Sequence, residues 1–254
     1  DEGLVGSEMC IRDRYNIKGV HPSGNESFQI NKIDPLNFGE IVWVVKPEDL
    51  ANIGAFFKTG IFCSTRTIAV SGDSLKSPKY FSTTIGSSIS SLVNDDEIND
   101  INNYRFINGD PLSGSKVEYS KYIGFYNNCL SIIEEGNNYR MLGWLPFMYN
   151  SVPSLSKTSF SWLLGGPKKV NTNLNGEERA IVVTGEMEKY FPMDIYPMQL
   201  IKACIRGDIE KMESLGIYEV VPEDFGLVDF SCTSKIEAQE IIKSGIEIML
   251  KEVG

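Results

Sequence analysis

The final third of the chain, Ile181 to Gly254, constrains the fold most. Apolar residues at Met198, Ile201, Ile205, Ile209, Met212 and Leu215 recur every three or four positions, a spacing that places them along one helical face. The Gly207-Asp208 pair divides this stripe into two helices. Gly207 suits the left-handed stop of the first, and Asp208 suits the N-cap of the second, where its carboxylate accepts from orphan amides. Gly216 ends the second helix. Further on, Ser234 and Glu237 have the spacing of a capping box ahead of a last helix, whose buried stripe is Ile242, Ile246, Met249 and Val253. Residues 181–254 are therefore expected to form a compact helical domain.

Composition narrows the remaining possibilities. A chain of 254 residues with 42% hydrophobic content can build one large domain or two to three small ones. Its net charge of −10 and lack of a basic stripe argue against nucleic acid as a partner, because phosphate recognition needs clustered Lys and Arg. No apolar run approaches the ~20 residues that cross a bilayer, so membrane association is expected only through partners or a surface patch. The acidic opening also lacks the apolar core of a signal peptide. Cys10, Cys63, Cys129, Cys204 and Cys232 are scattered and form no C-x-x-C pair. They read as reduced thiols used as small hydrophobes, with no metal or iron-sulfur cluster expected. His21, the single histidine, excludes a multi-histidine metal site and reads as a hydrogen-bonding partner among turn residues rather than a proton-transfer group.

Upstream, Glu40 to Lys46 (EIVWVVK) is an apolar run of strand length. Pro47, Glu48 and Asp49 then supply a helix start, with Leu50, Ile53, Phe56 and Phe57 expected on its buried face and Thr59-Gly60 as its stop. Arg66 to Ser71 returns as a second strand. The simplest reading is a β-α-β unit with two parallel strands and a right-handed crossover, the tail of an α/β domain over residues 15–78. The phosphate-cradling patterns G-x-G-x-x-G and G-x-x-x-x-G-K-S/T are absent, and Gly72-Asp73 reads as loop punctuation.

Residues 79–139 read as a further unit. Ile85, Ile89, Leu92 and Val93 suit a short helix, Tyr104 to Asn108 a strand, 109–114 a tight turn, and Asn127-Asn128 a hairpin loop between apolar strands. The connector 140–180 concentrates Trp144, Phe147, Tyr149, Phe160 and Trp162. Such rings either cover the core or anchor a contact with a neighbouring subunit. Glu186, Glu188, Asp194, Glu223 and Asp224 sit at helix starts and turns, which accounts for them without chemistry. No catalytic, cofactor-binding or metal residue is assigned.

The run from Thr184-Gly185-Glu186 through FPMDIYPMQL, LGIYEVVPEDFGLVDFSC and TSK to KEVG, together with GVHPSG upstream, resembles the NqrA family of the sodium-translocating NADH:quinone reductase, most closely the versions in Bacteroidetes-like bacteria. The resemblance implies an α+β, multidomain chain: the remnant of an α/β domain, a β-grasp unit of the SLBB type, and a C-terminal helical domain. It implies a peripheral subunit on the cytoplasmic face of the bacterial inner membrane, supporting electron transfer from NADH to quinone coupled to Na+ export. It also implies no cofactor bound by this stretch, with flavins, an iron-sulfur centre and quinone in or near other subunits, and contact with the membrane quinone-reducing subunit. A cluster-less protein of the related RnfC type and a stand-alone SLBB-type small-ligand binder are the alternatives. The first fourteen residues, DEGLVGSEMCIRDR, resemble a translated adapter sequence and are read as foreign to the chain.

Overall fold

Residues 13–93, 98, 100–137, 153–155, 157, 162–163 and 168–253 are described by the structure, a computed structural model. Their centre is a mixed five-stranded sheet: β1 (Thr65–Ser71), β2 (Lys79–Thr84), β3 (Tyr104–Asn108), β4 (Ser115–Val117) and β5 (Cys129–Glu134), in the spatial order β2-β1-β5-β3-β4. β1 runs parallel to β5, with Val70 opposite Leu130, while β1 with β2, β3 with β4 and β3 with β5 are antiparallel. Alternation along β1 buries Ile68 and Val70 against Phe106, Leu130 and Ile132. The short helix α3 (Ile89–Leu92) closes this face with Ile89 and Leu92. β5 is buried from Leu130 to Ile133, as expected of an interior strand.

Three sequence expectations change here. Glu40 to Lys46 is not a strand, and β1 is consequently not the second half of a β-α-β unit. It belongs to the sheet above, so the boundary expected between residues 78 and 79 falls between two paired strands. The apolar and β-branched content of Glu40 to Lys46 is a sound strand signal, but a strand forms only when a neighbour completes its hydrogen bonds. Asn127-Asn128 also joins no hairpin, because β5 lies between β1 and β3 and not beside β4.

The helix start at Pro47 is as expected: α2 spans Pro47–Thr59 with Pro at its first turn, Glu48 and Asp49 beside it, and Gly60 in the left-handed conformation at its end. Its expected buried face is not buried. Leu50, Ile53, Phe56 and Phe57 are all exposed, and neither α2 nor the preceding α1 (Glu26–Ile33) has a buried residue.

The helical expectation for the last third holds. α4 (Met187–Tyr190), α5 (Pro197–Arg206), α6 (Ile209–Ser214), α7 (Gly226–Ser231) and α8 (Ala238–Val253) enclose a core containing Met198, Ile201, Met212, Phe225, Ile242 and Met249. Gly207 is left-handed at the end of α5, and Asp208 caps α6 by accepting from the Lys211 amide. Ile205, placed on the buried stripe by its spacing, faces outward. The cap of α8 also differs from the capping box expected of Ser234 and Glu237. Asp229, from α7, accepts from the Ala238 amide at 2.6 Å and from the Gln239 side chain at 2.9 Å, while Ser234 donates to the carbonyl of Ala180. Burial pushes the Asp229 carboxyl up despite these bonds. Gln239 also donates to the Leu112 carbonyl at 2.9 Å, joining the helical cluster to the turn after β3.

At the other end of the sheet, Glu135 accepts from Arg105 Nε at 3.0 Å and from the Thr172 hydroxyl at 3.0 Å. The Arg105 bond holds this carboxyl below its ordinary range, against the upward push of burial. A depressed carboxylate stabilises the fold above its unfolded pKa of 4.5 and loses that contribution as pH falls through the lower folded value. Wild-type full-length protein is therefore expected to lose more stability below pH 4.5 than Glu135→Gln does, as read by urea denaturation at a series of pH values. Parallel curves would refute this.

Candidate functional site

A crevice of about 1360 Å³ lies where α1, the 42–62 segment, the sheet and residues 218–223 meet. Val44, Val45, Ile53, Phe56 and Phe62 contribute apolar walls, and the polar wall comes from Arg66, Asn108, Asp110 and Asn128. Arg66 opens the buried face of β1 and is only 3% exposed. A charge so placed must be paired and hydrogen-bonded, and it is. Its guanidinium donates to Asp49 on α2, to the Phe125 carbonyl at 2.6 Å and to Asn128 Oδ1 at 3.2 Å. Neighbouring Glu48 accepts from the Thr67 amide at 3.0 Å and from Asn128 Nδ2 at 2.9 Å, and Lys46 donates to the Tyr126 carbonyl at 3.1 Å. The N-terminal turn of α2 is thereby bolted to the sheet.

The opposite wall is built similarly. Asp224 is 1% exposed, caps the turn 222–225 by accepting from the Val221 amide, and accepts from the Ser27 hydroxyl of α1 at 2.5 Å. Asn31, one turn further along α1, donates to Glu219 at 2.6 Å. Asp110, on the polar wall, accepts from the amides of Leu112 and Ser113 and from the Ser113 hydroxyl. Burial raises this carboxyl, but those bonds outweigh it and the net shift is downward.

These charged groups hold three parts of the chain together. Arg66 is neutralised by Asp49, and the carboxylates of Asp110, on the polar wall, and of the buried Asp224 are occupied as acceptors. Arg66 Nε and Asn108 Oδ1 are buried without a protein partner, a donor and an acceptor on the polar wall that a polar group could satisfy. Among the described residues, no three His, Cys, Asp or Glu side chains gather as a metal site. Among the described cysteines, Cys204 and Cys232 are buried and Cys63 is exposed, and burial pushes the Cys204 thiol up to about 11.

Of the aromatic residues singled out as an interface, Trp144, Phe147, Tyr149 and Phe160 lie outside the described residues. Trp162 is half exposed, with Lys157 Nζ over its ring at 5.3 Å from the centroid. Sequence reasoning passed over Arg66, Asp49 and Asn128. The signal available was an Arg at the head of an apolar strand, a position where charge needs a partner.

Residues 9–62 match a family model described as the NqrA second alpha/beta domain, and residues 67–119 match one described as the NQRA C-terminal domain, of SLBB type. The NqrA protein of the Na(+)-translocating NADH-quinone reductase of Neisseria meningitidis (serogroup C) is 32% identical over 258 aligned positions, which cover 98% of this chain and 56% of that protein. The chain belongs to the NqrA family. The corresponding proteins of Haemophilus influenzae and Pasteurella multocida are each 33% identical, covering 99% and 94% of this chain and 56% and 53% of their own lengths. This family member thus spans about half the length of the curated relatives it matches. The two domain matches meet between residues 62 and 67, where the sheet begins.

Proposed function

We propose that this chain is part of a peripheral subunit of a sodium-pumping NADH:quinone oxidoreductase, supporting electron transfer from NADH to quinone coupled to Na+ export. The observation that carries this reading is the alignment along 98% of the chain to NqrA proteins named for that complex. Within it, the sheet 65–134 is a β-grasp unit and residues 181–254 a helical domain, both serving as scaffold. The strand order β2-β1-β5-β3-β4 with parallel central strands supports the first assignment, and the single core around Met212 and Ile242 the second.

The protein sits on the cytoplasmic face of the bacterial inner membrane and reaches the membrane through its partners. Among the described residues no helix is long and apolar enough to cross a bilayer, which is compatible with that arrangement. Its main partner is the membrane subunit that reduces quinone, with Trp144, Phe147, Tyr149, Phe160 and Trp162 forming the contact. This stretch holds no redox cofactor of its own; NADH, flavins and the iron-sulfur centre act in or near other subunits. The dedication of Arg66, Asp49, Asp224 and Asp110 to structural bonds supports a positioning role.

The test is purification from the native membrane. Tagged full-length NqrA is expected to co-purify with a flavin-containing membrane complex, and the Trp144→Ser/Phe147→Ser variant to lose most of that recovery while remaining folded by circular dichroism. Wild-type protein recovered by itself from a membrane that supports NADH-driven Na+ transport would overturn the assignment.

A further inference from the structure

The crevice is lined by walls of two chemistries. Ile53, Phe56 and Phe62 give it apolar and aromatic surface. On the polar wall, Arg66 and Asn108 both border the turn 124–128. Arg66 donates to the Phe125 carbonyl and to Asn128 Oδ1 and carries the Phe125 ring 5.6 Å from its guanidinium carbon, and Asn108 Nδ2 lies 3.8 Å from where a Cβ on Gly124 would stand. Each of the two residues keeps one buried atom that no protein group satisfies, the Nε donor of Arg66 and the Oδ1 acceptor of Asn108. Native structures leave few such atoms bare. Arg66 cannot turn its Nε to water, because its side chain is 3% exposed and is fixed by Asp49, Phe125 and Asn128.

Charge and hydrogen-bond capacity decide what can complete this wall. Carboxylates outnumber cations five to two along the crevice, and both cations are engaged, Arg66 with Asp49 and Lys46 with the Tyr126 carbonyl. An anion is therefore repelled. A cation is refused at the polar wall, where a guanidinium offers a donor beside its own charge. A group with acceptors alone, as in an ester or a quinone, would satisfy Arg66 Nε and leave Asn108 Oδ1 bare, whereas an amide brings both an acceptor and a donor. We infer that the crevice binds a neutral ligand with an aromatic or apolar body and an amide-like end, its carbonyl accepting from Arg66 Nε and its N–H donating to Asn108 Oδ1. A volume of about 1360 Å³ accommodates a body larger than a fused bicyclic ring, and a junction between structural units is a favoured place for such a site.

The inference rests on the crevice and not on the role in a sodium pump, so it is tested on isolated full-length protein by equilibrium dialysis at neutral pH with three matched probes: 2-naphthamide, methyl 2-naphthoate and ionised 2-naphthoate. The amide is expected to bind at least ~10-fold more tightly than the ester, which leaves a buried acceptor unpaired, and the anion to bind more weakly than either. Asn108→Leu is expected to bring the amide down to the affinity of the ester and to leave the ester unchanged. Phe62→Ala, which alters a side chain that is 61% exposed, is expected to weaken both neutral probes alike and serves where Asn108→Leu does not fold. Equal binding of amide and ester by the wild type would overturn the inference and assign the two bare atoms to water. Failure of every neutral probe to bind, tightest binding of the anion, or an amide preference that survives in folded Asn108→Leu would each overturn it as well.

Discussion

Gly72→Ala is expected to destabilise the full-length protein by roughly 4 kcal/mol or more, a loss reserved for a few structural mechanisms. Gly72 follows β1 at a φ of +148°, and a Cβ there would lie 1.9 Å from the Ile132 carbonyl oxygen and 2.8 Å from its carbon. Both atoms are backbone, so no rotamer change makes room. Ile132 lies in β5, the interior strand, fixed by β1 on one side and β3 on the other. The methyl group would have to push apart the central parallel pair, stripping bonds such as those around the Ser71 and Ser131 register. Gly54→Ala on α2, where an added Cβ meets nothing within 4 Å, is the control. It is expected to be neutral or to stabilise by up to ~1 kcal/mol, from helix propensity alone. Urea denaturation of both variants decides the matter, and a Gly72→Ala change below about 1 kcal/mol would mean that the close approach to β5 is absent.

Asp49→Ala is expected to cost ~3–5 kcal/mol, because it leaves Arg66 as a buried guanidinium without its countercharge. The bonds from Arg66 to the Phe125 carbonyl and Asn128 remain, but neither acceptor carries charge. Asp49 itself keeps 30% of its side chain exposed, so the asymmetry is large: the Arg is the group that cannot return to water. The paired replacement Asp49→Leu/Arg66→Met removes both charges and is expected to lie within ~1–2 kcal/mol of wild type, since apolar residues of similar volume often replace a buried pair at little cost. A single Asp49→Ala variant as stable as the double variant would show that the guanidinium is not paired in this way.

The Arg66 anchor also explains why a correct local reading of residues 40–71 led to the wrong assembly. Pro47, the two acids after it and Gly60 marked the ends of α2 correctly, because caps and helix breakers act within a few residues. The helix's surroundings were another matter. Apolar content at Leu50, Ile53 and Phe57 signals burial, yet in this structure the polar turn of α2 is bonded to the sheet and the apolar positions stay exposed, some of them along the crevice. Arg66 was legible as a strand residue but not as the partner of Asp49, since a separation of seventeen positions is closed only by the fold.

By itself the sequence determined α5, α6 and the existence of α8: the three- and four-residue spacing, the left-handed Gly207 and the Asp208 cap are local properties of backbone and side chain. It also carried enough ordered motif for family membership, which needs no coordinates. Only the tertiary structure decided that β1 pairs with β2 and β5 and that residues 41–45 make no backbone hydrogen bond to another described residue. It alone brought Asp229, not Ser234, to cap α8. The physical reason is common to all three. Strand pairing and capping from another element are satisfied by groups distant in sequence, and the chain's local pattern records the need for a partner without recording which partner meets it.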